Sequence, residues 1–364
     1  MVAIFLRAHH NHAMTAPETS EPVIRCKALY KVFGAEPAEL EVDGAGAVDP
    51  RIFARDGVVA AVNNVSLSVR RGEILVVMGL SGSGKSTLVR CLSRLIEPSS
   101  GTVEIEGRDL LAMSERELIE LRRSKMGMVF QHFALLPHRT VLENVAFPLQ
   151  MRGMKRAEYV ARARKMIELV GLDGKDNNFP RELSGGQQQR VGIARSLAIE
   201  PDIWFLDEPF SALDPLIRKE MQDEFLRLQS MLGKTIVFIT HDFDEALKLA
   251  DRIAVMFNGR VEQVGAPGDI VLRPATDYVR KFTSDVPREK VLNAGAIMDP
   301  PDGGELAERS VRAGERIDAV AEYVLGERRP VAVVDDGGKT VGVLHRDHVI
   351  KILFPRAENS GETP

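Results

Sequence analysis

Three short runs of consecutive apolar residues are the most prominent feature of the hydrophobic pattern. They read ILVVM at 74–78, IWFL at 203–206 and IVFI at 236–239. Continuous apolar strands are typical of a parallel sheet that is covered by helices on both faces. The pattern therefore predicts an α/β protein with a mostly parallel core sheet.

Each of these runs is followed directly by residues that can take part in chemistry. Gly79 follows the first run, Asp207 and Glu208 follow the second, and Thr240 and His241 follow the third. In open α/β sheets, ligands bind at the carboxyl ends of the strands. We therefore expect these residues to share one site.

Other segments show the periodicity of flanking elements. Alternation of apolar and polar residues predicts half-buried strands at 65–69 (VSLSV) and 102–107 (TVEIEG). Ser114 and Glu117 form a capping box, which opens a helix. Residues 138–180 are predicted to be mainly helical.

The C-terminal part has its own pattern after a Pro/Gly-rich break at 299–304. A helix is predicted at 316–325, strands at 330–334 and 340–344 with a turn between them, and a second helix at 346–354. This order predicts a small, separate α/β unit.

Length and composition are those of an ordinary globular protein with about two domains. The chain has 364 residues, 44% of them hydrophobic, and a net charge of −4, which gives no indication of a nucleic-acid partner. Residues 1–21 fit a signal peptide poorly, so we expect a disordered leader, with Met14 as an alternative start. Cys26 and Cys91 lie outside any C-x-x-C pair and are interpreted as structural thiols in a reducing cytoplasm.

The segment GLSGSGKS, from Gly79 to Ser86, matches the phosphate-binding motif G-x-x-x-x-G-K-[ST]. Glycines allow backbone N–H groups to surround phosphate oxygens, and the following helix adds its positive N-terminal end. In this motif Lys85 reaches the β- and γ-phosphates of ATP, and the Ser86 hydroxyl ligates Mg²⁺. The predicted nucleotide-binding residues of this loop are Gly79, Leu80, Ser81, Gly82, Ser83, Gly84, Lys85, Ser86 and Thr87.

The other two strand ends complete the predicted site. Asp207 can hold Mg²⁺, usually through water, and Glu208 can act as the general base that deprotonates the attacking water. His241 is either a further member of the site or a buried structural histidine. An ordinary strand-end charge is the alternative interpretation of the Asp207–Glu208 pair.

An ordered set of motifs over residues 22–286 resembles the ATPase subunits of ATP-binding-cassette (ABC) transporters. The set is the phosphate loop, Gln131 in MVFQHFALLPH, the signature LSGGQ at 183–187, the segment IWFLDEPFSALD, and His241. The resemblance implies that Phe33 stacks on adenine and that Gln131 contacts Mg²⁺ and the attacking water.

The same resemblance implies that His241 contacts the γ-phosphate and that Asp214 lies at a subunit junction. In this family two subunits meet head to tail, and the signature of one caps the γ-phosphate that is held by its partner. A homodimer would supply both halves. The signature residues assigned to this contact are Ser184, Gly185, Gly186 and Gln187.

Within that family the chain is most similar to the importers of quaternary amines. The matching stretches are LYKVFG followed by an insertion, VMGLSGSGKSTLVRCLSRLIEPSSG, FSALDPLIRKEMQDEF and RPATDYVRKF. This implies ATP-driven uptake of glycine betaine, choline or proline betaine, and of proline or histidine in some members. The expected partners are an integral membrane permease and a periplasmic or extracellular solute-binding protein, with the ATPase at the cytoplasmic face of the inner membrane.

Other functions remain open at this point. An importer for polyamines, amino acids or sulfate is the main alternative, followed by an exporter ATPase and by a soluble ABC ATPase without a transport role. The last class usually carries a long coiled coil or a second cassette, and neither is evident in the sequence.

The predicted organisation combines a P-loop NTPase cassette with a small C-terminal module. The cassette, at 22–286, is expected to have an antiparallel β-subdomain and a helical subdomain at about 132–186. Residues 287–355 resemble a single CBS module, and 356–364 form a tail. The module is interpreted either as a regulatory sensor or as a dimer-stabilising appendage.

Overall fold

The computed structural model describes residues 21–44, 46–130, 134–301 and 303–354. Within them the chain divides into two compact units, and the division falls between Ala266 and Pro267. This point lies before the predicted domain boundary at 286/287, which stays a prediction. The tail and nearly all of the predicted leader lie outside the described residues.

Among the residues that the structure describes, the first unit contains two sheets and seven α-helices. Its strands are β1 (Ile24–Phe33), β2 (Val59–Val69), β3 (Ile74–Met78), β4 (Ser100–Ile105), β5 (Arg108–Asp109), β6 (Met126–Val129), β7 (Ile203–Asp207), β8 (Thr235–Thr240), β9 (Arg252–Phe257) and β10 (Arg260–Gly265). Its helices are α1 (Lys85–Leu92), α2 (Glu115–Lys125), α3 (Val141–Met151), α4 (Arg156–Leu169), α5 (Gly185–Leu197), α6 (Pro215–Leu232) and α7 (Phe243–Leu249).

The core sheet has the strand order β10-β9-β3-β8-β7-β6. Strands β9, β3, β8, β7 and β6 are mutually parallel, and β10 is antiparallel to β9. The three apolar runs form β3, β7 and β8, which are neighbours and are buried along their whole length. The prediction of a mostly parallel sheet is therefore confirmed.

An aromatic cluster fixes α6 against one face of this sheet. Phe225 of α6 packs within 6.2 Å, centroid to centroid, of Trp204, Phe210 and Phe238. All four side chains are at most 1% exposed. Burial of aromatic side chains stabilises a fold through their large apolar area.

The second sheet of this unit is antiparallel, in the order β2-β1-β4-β5. It contains both segments that were predicted from alternating residues. The acidic insertion after β1 is not a bare loop, because Leu40, Val48 and Ile52 pack with Tyr30 of β1 in a separate small cluster. The hydroxyl oxygen of Tyr30 accepts a hydrogen bond from the backbone of Val48 at 3.2 Å.

Residues 138–180 are mainly helical, as predicted, because they contain α3 and α4. These two helices and α5 pack on one another. The Ser114–Glu117 capping box opens α2, also as predicted. Asn144 of α3 is fully buried, and its amide bonds to backbone atoms of Leu136, Arg139 and Thr140. One side chain thus attaches the preceding loop to the helix.

The second unit is a small α/β fold. Its elements are α8 (Pro267–Leu272), α9 (Asp277–Phe282), α10 (Ala294–Ile297), β11 (Val311–Arg312), α11 (Ile317–Gly326), β12 (Val331–Val334), β13 (Thr340–Leu344) and α12 (Arg346–Leu353). Strand β12 is central, parallel to β11 and antiparallel to β13. The predicted helix–strand–strand–helix order is present. Across both units, the helices that the structure describes include none long and apolar enough to span a membrane.

Candidate nucleotide site

Three strand ends meet at the carboxyl edge of the core sheet. Met78 of β3 pairs with Thr240 of β8, and Ile239 of β8 pairs with Asp207 of β7. Gly79, Glu208 and His241 directly follow these strands and therefore start from neighbouring points on this edge of the sheet. The sequence predicted this arrangement.

The loop after β3 has the backbone of a phosphate cradle. Gly79 has φ +152°, and a Cβ atom there would lie 2.1 Å from the carbonyl oxygen of Met256. Gly84 has φ +99°, and a Cβ atom there would lie 1.9 Å from the carbonyl oxygen of Ala61. Only glycine avoids both the strain and the collisions at these two positions.

Two polar side chains of the loop fit a phosphate group. The hydroxyl of Ser83 is buried and has no hydrogen-bond partner among the described residues. The ammonium of Lys85 donates to the carbonyl oxygens of Gly79 and Leu80, at 2.9 and 3.0 Å. Burial lowers the pKa of Lys85, whereas the charges of Glu208 and Asp207 raise it. Orphaned polar groups at a helix N-terminus are suited to an anion.

Ser86 and Asp207 lie together as the sequence predicted for a metal site. The Ser86 hydroxyl donates to Oδ1 of Asp207 at 2.8 Å, and Asp207 is only 3% exposed. Arg90, which the sequence reasoning did not single out, places Nη2 3.6 Å from Oδ2 of the same carboxylate. Its spacing from Ser86 could have revealed it, because residues four apart share one face of a helix.

Glu208 stands on an unusual backbone. Its φ is +47°, a left-handed conformation that is uncommon for residues other than glycine. Its carbonyl oxygen accepts a hydrogen bond from the Ser211 hydroxyl at 3.0 Å. Oε2 of Glu208 lies 3.3 Å from Nδ1 of His241, whose side chain is 60% exposed. His241 is therefore not a buried structural histidine.

The signature begins α5. The Ser184 hydroxyl accepts a hydrogen bond from the backbone of Gln187 at 3.3 Å, and the Gln187 side chain accepts one from the backbone of Ser184 at 3.0 Å. These two residues therefore form a capping box. Ser184 and Gly185 are exposed, and Gly186 is buried.

The structure places the signature beside the start of α6. A Cβ atom on Gly186 would lie 2.6 Å from Cγ2 of Ile217, and one on Gly185 would lie 3.6 Å from Cδ2 of Leu213. Asp214 caps α6 by accepting a hydrogen bond from the backbone of Ile217 at 3.1 Å. The signature and the predicted junction residue thus form one surface region.

Phe33 lies at the end of β1, opposite Val59, and is 44% exposed. Two residues further along β2, the carbonyl oxygen of Ala61 closely approaches Gly84. The Phe33 ring is therefore on the strand pair that adjoins the phosphate loop. The remaining predicted residue, Gln131, lies outside the described residues.

Comparison with known proteins agrees with this geometry. The family model described as "ABC transporter" matches residues 62–211. The chain belongs to the family of ABC transporter ATP-binding subunits and is an ATP-hydrolysing enzyme of that class.

Two relatives illustrate where in the family the chain lies. It is 60% identical over 337 residues to the trimethylamine N-oxide transport system ATP-binding protein TmoW of Pelagibacter ubique (strain HTCC1062), covering 93% of this chain and 99% of the relative. It is 46% identical over 326 residues to the glycine betaine/proline betaine transport system ATP-binding protein ProV of Escherichia coli (strain K12), covering 89% of this chain and 81% of the relative.

A solved structure shares the cassette fold. It is a dimer of the ATP-binding cassette MJ0796 in a post-hydrolysis state, bound to ADP and phosphate. The similarity has a TM-score of 0.57 at 33% identity and covers 67% of this chain and 98% of the other. The fold class predicted for the cassette is thus confirmed.

Proposed function

We propose that this chain energises the uptake of methylated-amine osmolytes, with trimethylamine N-oxide and glycine betaine as the first candidates. The observation that carries the proposal is the 60% identity to a trimethylamine N-oxide transport subunit over nearly the whole chain. The similarity to a glycine betaine/proline betaine subunit supports the same class of solute. All of these solutes are small zwitterions with a methylated nitrogen, so the predicted quaternary amines extend to an amine oxide.

In the proposed mechanism the loop from Gly79 to Thr87 binds the phosphates of ATP. Its backbone N–H groups and the orphaned Ser83 hydroxyl would face phosphate oxygens. Lys85 would exchange its two carbonyl acceptors for the β- and γ-phosphates. Phe33, exposed beside the loop, would stack on adenine.

Ser86, Asp207 and Gln131 are the proposed holders of Mg²⁺. Hydroxyl and carboxylate oxygens are ligands that Mg²⁺ prefers. The Ser86 hydroxyl and Oδ1 of Asp207 already lie 2.8 Å apart. The bound ion would neutralise charge on the phosphate oxygens.

Glu208 is the proposed general base for the attacking water, and His241 the contact to the γ-phosphate. A base must lie within hydrogen-bond reach of the proton that it accepts. The 3.3 Å separation of the two side chains lets one small group lie against both.

We further propose that the complete site is shared by two copies of this chain. Ser184, Gly185, Gly186 and Gln187 of one subunit would close over the nucleotide held by the partner, with Asp214 at the junction. The exposed N-terminus of α5 supports this, because backbone N–H groups at a helix start favour an anion. The similar cassette was solved as a dimer.

The remaining proposals concern the assembly. The partners would be an integral membrane permease and a periplasmic or extracellular solute-binding protein, with this subunit peripheral on the cytoplasmic face of the inner membrane. The C-terminal unit, proposed to be CBS-like, would regulate the assembly or stabilise it. A cassette at 22–286 and a module at 287–355 remain the proposed division.

Uptake by a strain that lacks the gene tests the proposal. We expect uptake of labelled trimethylamine N-oxide or glycine betaine to be lost, restored by the wild-type gene, and not restored by Lys85→Ala. Choline, proline and histidine are assayed in parallel. Normal uptake of all these solutes by the deletion strain would contradict the proposal and favour an importer for a polyamine, another amino acid or sulfate.

A further inference from the structure

Arg218 on α6 connects the loop that carries Asp214 to the loop that carries His241. Its Nη2 donates to the carbonyl oxygen of Leu213 at 3.1 Å. Its Nη1 lies 3.5 Å from Oδ2 of Asp242. Leu213 directly precedes Asp214 in the sequence, and Asp242 directly follows His241. One guanidinium group therefore holds both loops.

Asp242 is itself fixed in the turn after β8. Its Oδ1 accepts a hydrogen bond from the backbone of Glu245 at 3.1 Å and so caps α7. Its backbone N–H donates to the Thr240 hydroxyl at 2.9 Å. His241 lies between these two anchored residues, so a displacement of the Asp242 carboxylate moves the backbone that carries His241.

Arg218 also lines the small pocket that contains Glu208 and His241. Its Nε is buried and has no hydrogen-bond partner among the described residues. Buried donors are nearly always paired, and an unpaired one calls for an explanation. The two groups that the guanidinium does contact, the Leu213 carbonyl and the Asp242 carboxylate, lie next to Asp214 and His241 in the sequence.

We propose that Arg218 is a positioning residue that fixes His241 relative to Glu208 and transmits to it the position of the Asp214 loop. The inference rests on the proposed function, in which His241 contacts the γ-phosphate and Asp214 lies at the junction between subunits. Arg218 acts through the Leu213 carbonyl and the Asp242 carboxylate. Lysine is a poor replacement, because its compact ammonium lacks the planar fork whose two Nη groups reach acceptors on separate loops.

The test compares ATP hydrolysis by full-length Arg218→Lys, Arg218→Met and Asp242→Asn. We expect kcat to fall about tenfold or more in each, since a displacement of about 1 Å in an active site has effects of this size. The KM for ATP should change much less, because the phosphate loop is untouched. In a His241→Ala background, the same substitutions should cause no further fall, since their effect passes through that histidine.

Arg227 provides a matched control on the same helix. Its Nη2 donates to the Leu169 carbonyl at 3.1 Å and its Nε to Glu224 at 2.9 Å, so it too joins a carbonyl and a carboxylate. Arg227→Lys should retain the wild-type kcat.

Three outcomes would overturn the inference: unchanged kcat in Arg218→Lys and Arg218→Met, an equal fall in Arg227→Lys, or full additivity with His241→Ala. If kcat falls in Glu208→Gln but not in the Arg218 variants, the role of Arg218 is refuted and the proposed function stands. Absence of ATP hydrolysis by the wild-type protein would instead refute the function on which it rests.

Discussion

At the scale of single residues, burial sets the chemistry of the polar groups. Burial raises the pKa of Cys26 and of Cys91 to about 12, so both remain neutral thiols, which agrees with a structural role. Burial likewise raises the pKa of Glu245, although hydrogen bonds from Thr240 and Gln222 oppose this. Glu208 differs from Glu245 in being partly exposed.

Replacing Glu208 with glutamine tests its assignment as general base. The amide keeps the shape of the side chain but cannot accept a proton, so we expect normal ATP binding and a fall in ATPase rate of about 10²-fold or more. A phosphate-release assay and a titration with a fluorescent ATP analogue measure the two quantities. Glu220→Gln, on the exposed face of α6, is the matched control and should hydrolyse ATP normally. Turnover of Glu208→Gln at the wild-type rate would assign the base to another group.

At the scale of elements, polar side chains fix how helices begin. Capping boxes open α2, α3 and α5, and each can be recognised from the sequence as Ser or Thr followed three residues later by Glu or Gln. Asn144 provides a different kind of fixation, because it joins the loop at 136–140 to the first turn of α3.

We expect Asn144→Ala to lower the free energy of unfolding by about 2 kcal/mol, because it leaves partly buried backbone groups without these partners. Equilibrium unfolding in urea measures the change. Glu168→Ala on the exposed side of α4 should alter the stability by less than about 0.5 kcal/mol. If Asn144→Ala is as stable as that control, the hydrogen bonds of Asn144 do not hold the loop.

At the scale of the whole molecule, the central question is which chain completes each nucleotide site. A mixture of Lys85→Ala and Ser184→Arg subunits distinguishes the two arrangements. If sites are shared, each mixed dimer has one site with both defects and one with neither. A 1:1 mixture should then recover ATPase activity that neither parent shows, up to about a quarter of the wild-type rate for random pairing in a two-fold dimer.

The control for this mixture is Ser114→Arg, because Ser114 caps α2 with the same kind of box. That variant should hydrolyse ATP on its own, which shows that loss of a cap does not by itself abolish activity. Formation of the mixed dimer with ATP is confirmed by differently tagged subunits. A mixed dimer that forms without any gain in hydrolysis would mean that each chain completes its own site.

Much of the cassette followed from local sequence. The three apolar runs predicted the parallel strands, because a strand buried on both faces cannot tolerate polar residues on either. The glycine pattern of 79–84 predicted the phosphate loop, since its backbone demands residues without Cβ atoms. The capping box of Ser114 and Glu117 predicted the start of α2, because both partners lie within four residues.

Only the tertiary structure decided the contacts between distant residues. Arg90 and Asp207 lie on separate elements and meet because β3, β8 and β7 are neighbours, an order that periodicity does not specify. The left-handed backbone of Glu208 and the link from Arg218 to Asp242 likewise depend on how separate elements pack. The sequence determined which residue types stand at the strand ends, and packing determined which of them face one another, because hydrophobic patterns encode burial but not the identity of the neighbour.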